Sequence, residues 1–382
     1  MKSRGVHLQY SFQPGQRGAE IENPLFDLLS ALHEHGSILH AAKAMGSSYR
    51  TAWGALKHWE EVLGEPLVTW SQGQPARLTP FGHRLLWAEM RARVRLIPHV
   101  EALRAELERV VSDALDGTQQ VLSVFASHDM ALPLLRERAS KKHRLHIDLK
   151  FAGSMDALRA LAEGRCTVAG FHVPPLTEGG HEFARGLKPL LKPGRHKLIG
   201  CTRRAVGLMV APGNPLQLAT LADLVRTGAH FVNRQVGSGT RVLTDHLLRQ
   251  QQIAPEQISQ FFDAIENTHI AVAAAIAAGA ADAGIGIQAA ARQFGLGFVE
   301  LVREDYFLVC LRDALDQPPV EKLREALRDP AWQKAVAALP GYAVVRGGEV
   351  LSMTRALPWW HFRTPKVRKA STSASGKRDY IT

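Results

Sequence analysis

Apolar residues between positions 25 and 111 recur three or four positions apart, the spacing that places them along one face of a helix. Gly36 and Gly46 divide the first part of this stretch, so we expect helices at 24–35, 38–45 and 49–63. Two short helices joined by a glycine turn predict a helix-turn-helix. A longer helix is predicted from Pro80 to about Val111, and Pro98 is expected to interrupt or kink it.

After residue 119 the pattern changes to short apolar runs that alternate with amphipathic stretches. Such alternation is typical of a mostly parallel sheet covered by helices, and this length of chain fits two lobes better than one sheet. We expect strands at 121–126, 145–151, 167–173, 207–211, 230–233 and 283–287. The predicted covering helices lie at 130–140, 155–163, 240–252 and 270–278.

The formal net charge of +11 suggests a polyanion among the partners. Residues 1–118 nevertheless carry as many acidic as basic side chains, so the excess lies elsewhere. Residues 37–96 keep a local basic face, with eight basic and four acidic residues. The last segment, 364–382, is rich in Ser, Thr and Lys and is predicted to be a disordered basic tail.

Several classes of protein are disfavoured by what the sequence contains. Its 3 cysteines include no CxxC pair, so we expect no disulfide framework and a cytoplasmic protein. Its histidines are scattered along the sequence, so we also expect no metal site. Residues 270–291 are built from Ala and Gly around Asp282 and are predicted to be a buried helix and strand, so we expect no membrane partner. We also expect no enzyme, because the adjacent Ser127, His128 and Asp129 cannot by themselves meet the geometry of a triad.

Polar side chains cluster at the start of the third predicted helix. They face outward where a recognition helix would meet base edges and phosphates in the major groove of DNA. The turn-rich stretch that follows predicts a hairpin wing whose basic residue can reach a phosphate. The candidate DNA-binding residues are Ser48, Tyr49, Arg50, Thr51, Lys57 and Arg77.

Residues 37–86 resemble the winged helix-turn-helix of LysR-type regulators and, more closely, that of the molybdate-responsive ModE type. The segment SYRTAW at 48–53 distinguishes the ModE type, and the element formed by Leu78, Thr79 and Gly82 is shared by both. The resemblance implies that double-stranded DNA is a partner and that the long helix forms a homodimer or homotetramer. The alternative for residues 37–86 is a helical protein-interaction module of the same topology. The alternative for the long helix is an intramolecular linker.

Small polar residues stand at three predicted strand-to-helix junctions in the second part of the chain, and a fourth group, at 267–269, opens the predicted Ala-rich helix. Helix starts offer free N–H groups and positive dipole ends, which bind anions. The candidate ligand-binding residues are Ser127, Ser154, Ser238, Gly239, Thr240, Arg241, Thr268 and His269. Two alternatives remain open, since Ser127 and Ser154 also suit helix caps and Arg241 can form an ion pair with Asp245.

The stretches 152–173, 231–248 and 269–291 resemble the type II periplasmic-binding-protein fold, specifically the molybdate-binding-like sensor domain of ModE-like regulators. The resemblance implies a cleft between two lobes that binds a small oxyanion effector, molybdate or tungstate, and no other cofactor. The arginine fork of Arg241 also suits a small carboxylate such as formate.

We therefore expect an α/β protein that acts as a one-component transcription regulator. Its predicted parts are a winged helix-turn-helix at 1–79, a dimerisation or linker helix at 80–118 and a two-lobed, periplasmic-binding-protein-like sensor domain at 119–351. A cytosolic oxyanion store, whose helix-turn-helix serves only for dimerisation, is the alternative from another class.

Overall fold

The computed structural model describes residues 23–70, 76–115, 120–174, 181–357 and 359–360. The turn of the predicted wing at 71–75 and the predicted basic tail at 364–382 lie outside the described residues.

The N-terminal domain is a three-helix unit followed by a two-stranded antiparallel wing. Leucines of the first helix and small alanines of the second and third form its core, as the apolar spacing predicts. Val68 pairs with Leu78 and Thr69 with Arg77 in the wing. The elements are α1 (Pro24–His35), α2 (Ile38–Ala44), α3 (Tyr49–Leu63), β1 (Val68–Thr69) and β2 (Arg77–Leu78).

Short polar contacts fix the start of α3 and the attachment of the wing. Ser48 caps α3, because its Oγ accepts a hydrogen bond from the Thr51 backbone N–H at 3.1 Å. Thr79 Oγ1 donates to the Pro66 carbonyl at 2.7 Å and accepts from the Gly82 N–H at 2.9 Å. Gly82 lies so close to the Leu67 carbonyl that a Cβ there would collide with it.

A long helix, α4 (Pro80–Leu115), connects the two domains. The helix runs through Pro98 without ending, so of the two expected effects, an interruption or a kink, the interruption does not occur. Leu96, Leu103 and Val110 recur every seven residues and are exposed. This exposed apolar repeat is what the dimerisation hypothesis requires of the helix.

The C-terminal domain contains one continuous sheet with helices on both sides. Its strands are β3 (Gln120–Ala126), β4 (Leu145–Phe151), β5 (Val168–Val173), β6 (His196–Val210), β7 (Phe231–Arg234), β8 (Ile265–Glu266), β9 (Ala283–Ile287), β10 (Gly297–Leu311), β11 (Tyr342–Val344) and β12 (Val350–Leu351). Its helices are α5 (Ala131–His143), α6 (Ser154–Ala162), α7 (His181–Leu187), α8 (Leu221–Thr227), α9 (Gly239–Gln250), α10 (His269–Ala277), α11 (Gln288–Gln293), α12 (Pro318–Arg328), α13 (Pro330–Ala337) and α14 (Met353–Ala356).

Two long antiparallel strands join the lobes of this domain. The strand order is β4-β3-β5-β10-β6-β9-β7-β8, with β11 and β12 paired to β6. The first lobe holds the parallel strands β3, β4 and β5, and the second holds β7, β8 and β9. Both β6 and β10 are 15 residues long and pair with each other across the two lobes.

The predicted α/β architecture is confirmed, with one correction. We expected a mostly parallel sheet and only residues 207–211 of β6, whereas the sheet is mixed because β6 and β10 run antiparallel to their neighbours. The linker helix α4 packs against β4 of the first lobe and α10 of the second.

Gly82→Ala is expected to destabilise the N-terminal domain by roughly 1–3 kcal/mol, because the added methyl group must displace the wing. Gly54→Ala is the matched control within α3, where nothing lies within 4 Å of an added Cβ. Replacing this helical glycine should instead stabilise by roughly 0.5–1 kcal/mol. Hydrogen exchange of the amides in α1–α3 measures both changes. Equal protection in the two variants would contradict the close packing of Gly82 on Leu67.

Candidate effector site and DNA-binding surface

The candidate DNA-binding residues are all exposed to solvent. The structure exposes Ser48, Tyr49, Arg50, Thr51, Lys57 and Arg77. The Ser48 and Thr51 hydroxyls lie 2.8 Å apart at the start of α3, and Tyr49 stacks on Trp53 one turn further along. The first turn of α3 therefore offers a surface of polar and aromatic side chains.

Lys57 has partners within the domain. Its ammonium group lies 2.7 Å from Glu60 and 4.8 Å from the centre of the Trp53 ring. Glu60 in turn accepts hydrogen bonds from the backbone N–H groups of Leu67 and Val68, which ties the wing to α3. Exposed ion pairs of this kind contribute little energy, so the pair leaves Lys57 available to a phosphate.

A cavity of about 280 Å³ lies between the two lobes of the C-terminal domain. Its size fits a ligand of a few heavy atoms, since pockets for drug-sized ligands span roughly 300–1,000 Å³. Seven of the eight candidate ligand-binding residues line it, from four different junctions. They are Ser127, Ser154, Ser238, Gly239, Thr240, Thr268 and His269.

Arg241 is the exception, because it lies outside the lining of this cavity. Its Nε donates to Asp245 at 2.9 Å, and its guanidinium group lies 4.6 Å from the centre of the Phe261 ring. The alternative interpretation, an ion pair four residues along the helix, is therefore what the structure shows for this side chain.

A buried ion cluster at the crossing of the lobes forms the floor of the cavity. Arg204 on β6 faces Glu304 on β10, and its guanidinium lies 2.6 Å from that carboxylate. The same guanidinium lies 3.2 Å from Asp129. Burial alone would lower the pKa of Arg204, but Glu304 and Asp129 raise it. Arg204 is thus a cation whose charge the protein already balances.

Arg234 is a second buried arginine in the lining, at the end of β7. Its Nη2 donates to the Asn267 carbonyl at 2.8 Å, but its Nε and Nη1 have no hydrogen-bond partner among the described residues. Burial, with repulsion from Arg204, lowers the pKa of Arg234 to about 9, so the side chain is a cation at neutral pH. An anion in the cavity would supply the missing acceptors.

Three hydroxyl groups of the lining already accept hydrogen bonds from the backbone. Ser154 Oγ accepts from the His172 N–H at 3.4 Å, Ser238 Oγ from the Arg241 N–H at 3.2 Å and Thr268 Oγ1 from the Ala271 N–H at 3.0 Å. Each hydroxyl therefore keeps its own proton free to donate to a ligand. These residues stand at the N-termini of α6, α9 and α10, whose dipoles also favour an anion.

Histidines complete the wall as neutral groups. Burial, with the charge of Arg234, lowers the pKa of His128 to about 4 and lowers that of His269 well below its usual value. His269 Nε2 lies 3.2 Å from Arg204 Nη2, which can only donate, so the imidazole proton sits on Nδ1. That Nδ1 has no partner among the residues the structure describes, so His269 adds another donor.

Ser127 and Asp129 both contact a histidine, but it is His172 on β5 rather than His128. Ser127 Oγ lies 2.8 Å from His172 Nδ1, and His172 Nε2 lies 3.3 Å from Asp129 Oδ2. The three buried side chains form one hydrogen-bond chain, of which Ser127 and His172 line the cavity and Asp129 does not. The adjacency of residues 127–129 does not reveal it, because the central histidine comes from another strand.

The linker helix α4 forms part of the same site. His99 lines the cavity, and Arg95, one turn earlier, makes two hydrogen bonds of 2.6 and 3.0 Å to Glu266. Glu266 is buried at the end of β8 and precedes Asn267, Thr268 and His269 of the lining. The helix that leads to the DNA-binding domain thus contacts the candidate ligand site directly.

No group of three His, Cys, Asp or Glu side chains that could hold a metal ion occurs among the residues described. None of the helices in the described ranges is long and apolar enough to cross a membrane.

A winged helix-turn-helix joined to a two-lobed domain with a polar cavity is the architecture of an effector-responsive DNA-binding regulator. Two family profiles agree with it. The profile "Bacterial regulatory helix-turn-helix protein, lysR family" matches residues 25–83, and that of the "PBP superfamily domain" matches residues 135–328. The chain belongs to the PBP superfamily by its C-terminal domain and carries the LysR-family DNA-binding domain in front of it, as in LysR-type transcription regulators.

Three individual proteins with similarity to this chain are between 18% and 28% identical to it. YvgK of Bacillus subtilis (strain 168) is 28% identical over 239 residues, which are 63% of this chain and 76% of YvgK. The molybdenum transport protein ModE of Azotobacter vinelandii is 27% identical over 109 residues, 28% of this chain and 40% of ModE. The structure of an H2O2-bound OxyR mutant of Corynebacterium glutamicum is 18% identical in sequence, with a TM-score of 0.42. The match covers 82% of this chain and 93% of the OxyR chain.

Proposed function

We propose that this LysR-type regulator senses a small oxyanion in the cavity between its lobes. The observation that carries the proposal is Arg234, a buried guanidinium with two N–H positions unpartnered among the described residues, in the wall of a polar cavity. The surrounding donors, which include the hydroxyls of Ser154, Ser238 and Thr268, point to the same kind of ligand. A cavity that offers mainly donors favours an anion over a neutral or cationic molecule.

The anion acts on DNA binding through α4. Arg234 donates a hydrogen bond to the Asn267 carbonyl, and Asn267 follows Glu266, the partner of Arg95. A ligand bound to Arg234 therefore acts on the segment that α4 contacts through Arg95. A ligand shifts a conformational equilibrium only by binding one state more tightly, and a site that includes His99 is well placed to favour one position of α4. We take the exposed repeat of Leu96, Leu103 and Val110 as the face on which two chains associate.

Molybdate and tungstate are the first effectors to test, because the sequence resembles ModE-type regulators and one relative is a molybdenum transport protein. Formate follows, because arginine suits carboxylates. Sulfate and phosphate complete the panel. Both are tetrahedral oxyanions, but at neutral pH phosphate carries a proton and sulfate does not.

Arg234→Met is expected to raise the dissociation constant of the tightest-binding anion of this panel by a factor of at least about 100, since it removes charged hydrogen bonds inside the cavity. Arg241→Met is the matched control. It removes the same group from a neighbouring buried position outside the lining, so affinity should stay within about threefold. Isothermal calorimetry on the full chain measures both. Unchanged affinity in Arg234→Met, or equal losses in both variants, would contradict the proposed site.

Arg50→Ala is expected to weaken binding to the promoter DNA beside the gene by about tenfold or more, while anion affinity stays unchanged. Arg303→Ala removes the same charge from an exposed position on β10 and is the matched control. Gel shifts at several salt concentrations, with and without the anion, measure the effect. If wild-type protein binds the anion but no promoter DNA, the oxyanion-store alternative is favoured instead.

A further inference from the structure

The Ser127 hydroxyl differs from the other hydroxyls that line the cavity in the acceptor to which it donates its hydrogen bond. Asp129 accepts hydrogen bonds from Arg204 Nη1 and Tyr342 Oη and lies 3.3 Å from His172 Nε2. Burial alone would raise the pKa of Asp129, but His172 and Arg204 lower it to about 2, so the carboxylate is ionised and can only accept. His172 Nε2 must therefore carry a proton to make this contact.

The second nitrogen of His172 is left without a proton. Burial, together with the charge of Arg204, lowers the pKa of His172, so its imidazole is neutral and holds one proton. With that proton on Nε2, Nδ1 is an acceptor, and its 2.8 Å contact to Ser127 Oγ requires the hydroxyl to donate. The other acceptor near Ser127 Oγ, the Gly170 carbonyl at 3.4 Å, also belongs to the protein.

The proton of Ser127 is thus committed to the protein, whereas those of Ser154, Ser238 and Thr268 are free. Any hydrogen bond between Ser127 Oγ and a ligand then needs the ligand to donate. The cavity combines several donors for an anion with one acceptor held in place by a buried hydrogen-bond chain. A ligand without a proton at that point leaves the acceptor unsatisfied, which costs roughly 1–3 kcal/mol in a buried site.

Charge balance favours a singly charged ligand. The two positive charges of Arg204 and Arg234 and the two negative charges of Asp129 and Glu304 sum to zero, although both carboxylates pair with Arg204. Arg95 and Glu266 form an ion pair without net charge beside them. A monoanion leaves one net negative charge in the low-dielectric interior and a dianion leaves two, and the energetic penalty grows with the charge that is buried.

We propose that the effector is a singly charged oxyanion that carries its own O–H or N–H donor, and that Ser127, oriented by His172 and Asp129, is the residue that selects for this donor. The proposal rests on the oxyanion-sensing function proposed above and narrows its ligand class. It ranks small hydroxycarboxylates and protonated phosphate above molybdate, sulfate and formate.

Two matched pairs of probes test it at neutral pH. Glycolate and acetate differ by one hydroxyl group, and phosphate and sulfate differ by carrying or lacking a proton. Calorimetry on the wild-type chain should show the donor-bearing member of each pair binding at least about tenfold more tightly. Ser127→Ala should bring glycolate and acetate, which carry the same charge, to within about threefold. It should reduce the preference for phosphate over sulfate only in part, because phosphate also carries less charge than sulfate at neutral pH.

Ser154→Ala is the control, because Ser154 donates to the ligand and accepts only from the backbone. It should weaken all four probes alike and keep the preference. Tighter binding of acetate than of glycolate, or of sulfate or molybdate than of phosphate, would overturn the selection by Ser127 while leaving anion sensing intact. So would a preference for glycolate over acetate that survives in Ser127→Ala. Failure of every anion to bind would overturn the proposed function and this inference with it.

Discussion

The buried charge of Arg234 is the constraint on which the candidate site depends. A guanidinium group removed from water is costly unless acceptors surround it, yet two of its N–H positions have none among the described residues. Arg204, a short distance away, shows the opposite arrangement, with Glu304 and Asp129 both within ion-pair distance. Arg204 is thus paired within the protein, whereas two nitrogens of Arg234 have no partner among the residues that the structure describes.

The fold brings these two arginines together in the cavity between the lobes of the C-terminal domain. Strands β6 and β10 cross between the lobes, and their pairing sets Arg204 opposite Glu304. The parallel strands on either side end at the cavity, where α6, α9 and α10 begin. Ligand sites at the carboxyl ends of parallel strands are a general property of α/β sheets. Through His99 and Arg95, the helix α4 that leads to the DNA-binding domain contacts this candidate ligand site.

The sequence predicted the N-terminal domain closely, because helical spacing, glycine turns and a serine cap act over a few residues. α3 begins and ends at the residues expected. Three of the four polar junctions follow strands that the sequence predicts. The fourth, at 267–269, follows β8, which the sequence did not indicate because it is two residues long and its Ile265 is exposed. The sequence did not indicate β10 or the first half of β6, because arginines and carboxylates interrupt their apolar runs and long-range pairing is what makes them strands. For the same reason Arg204 and Glu304 were missed.

Arg234 was missed although a signal was present, since it directly follows the buried strand at 230–233 and stands at the same edge as Ser238. Arg241 was favoured instead because it lies in the glycine-rich junction, but helical geometry brings it to Asp245. Which of two nearby arginines faces a cavity depends on side-chain packing that residue types do not encode. The role of His172 likewise depends on strand β5 lying beside β3.

The free energy of unfolding of the C-terminal domain in anion-free buffer, compared between wild type and Arg234→Met, tests the central claim most directly. If the charge of Arg234 awaits a ligand, the variant should be at least as stable as wild type without anion, and anion should stabilise only wild type. A loss of roughly 3–5 kcal/mol in the anion-free variant, as expected when an existing buried pair is broken, would show that the protein already satisfies Arg234 and would contradict the account.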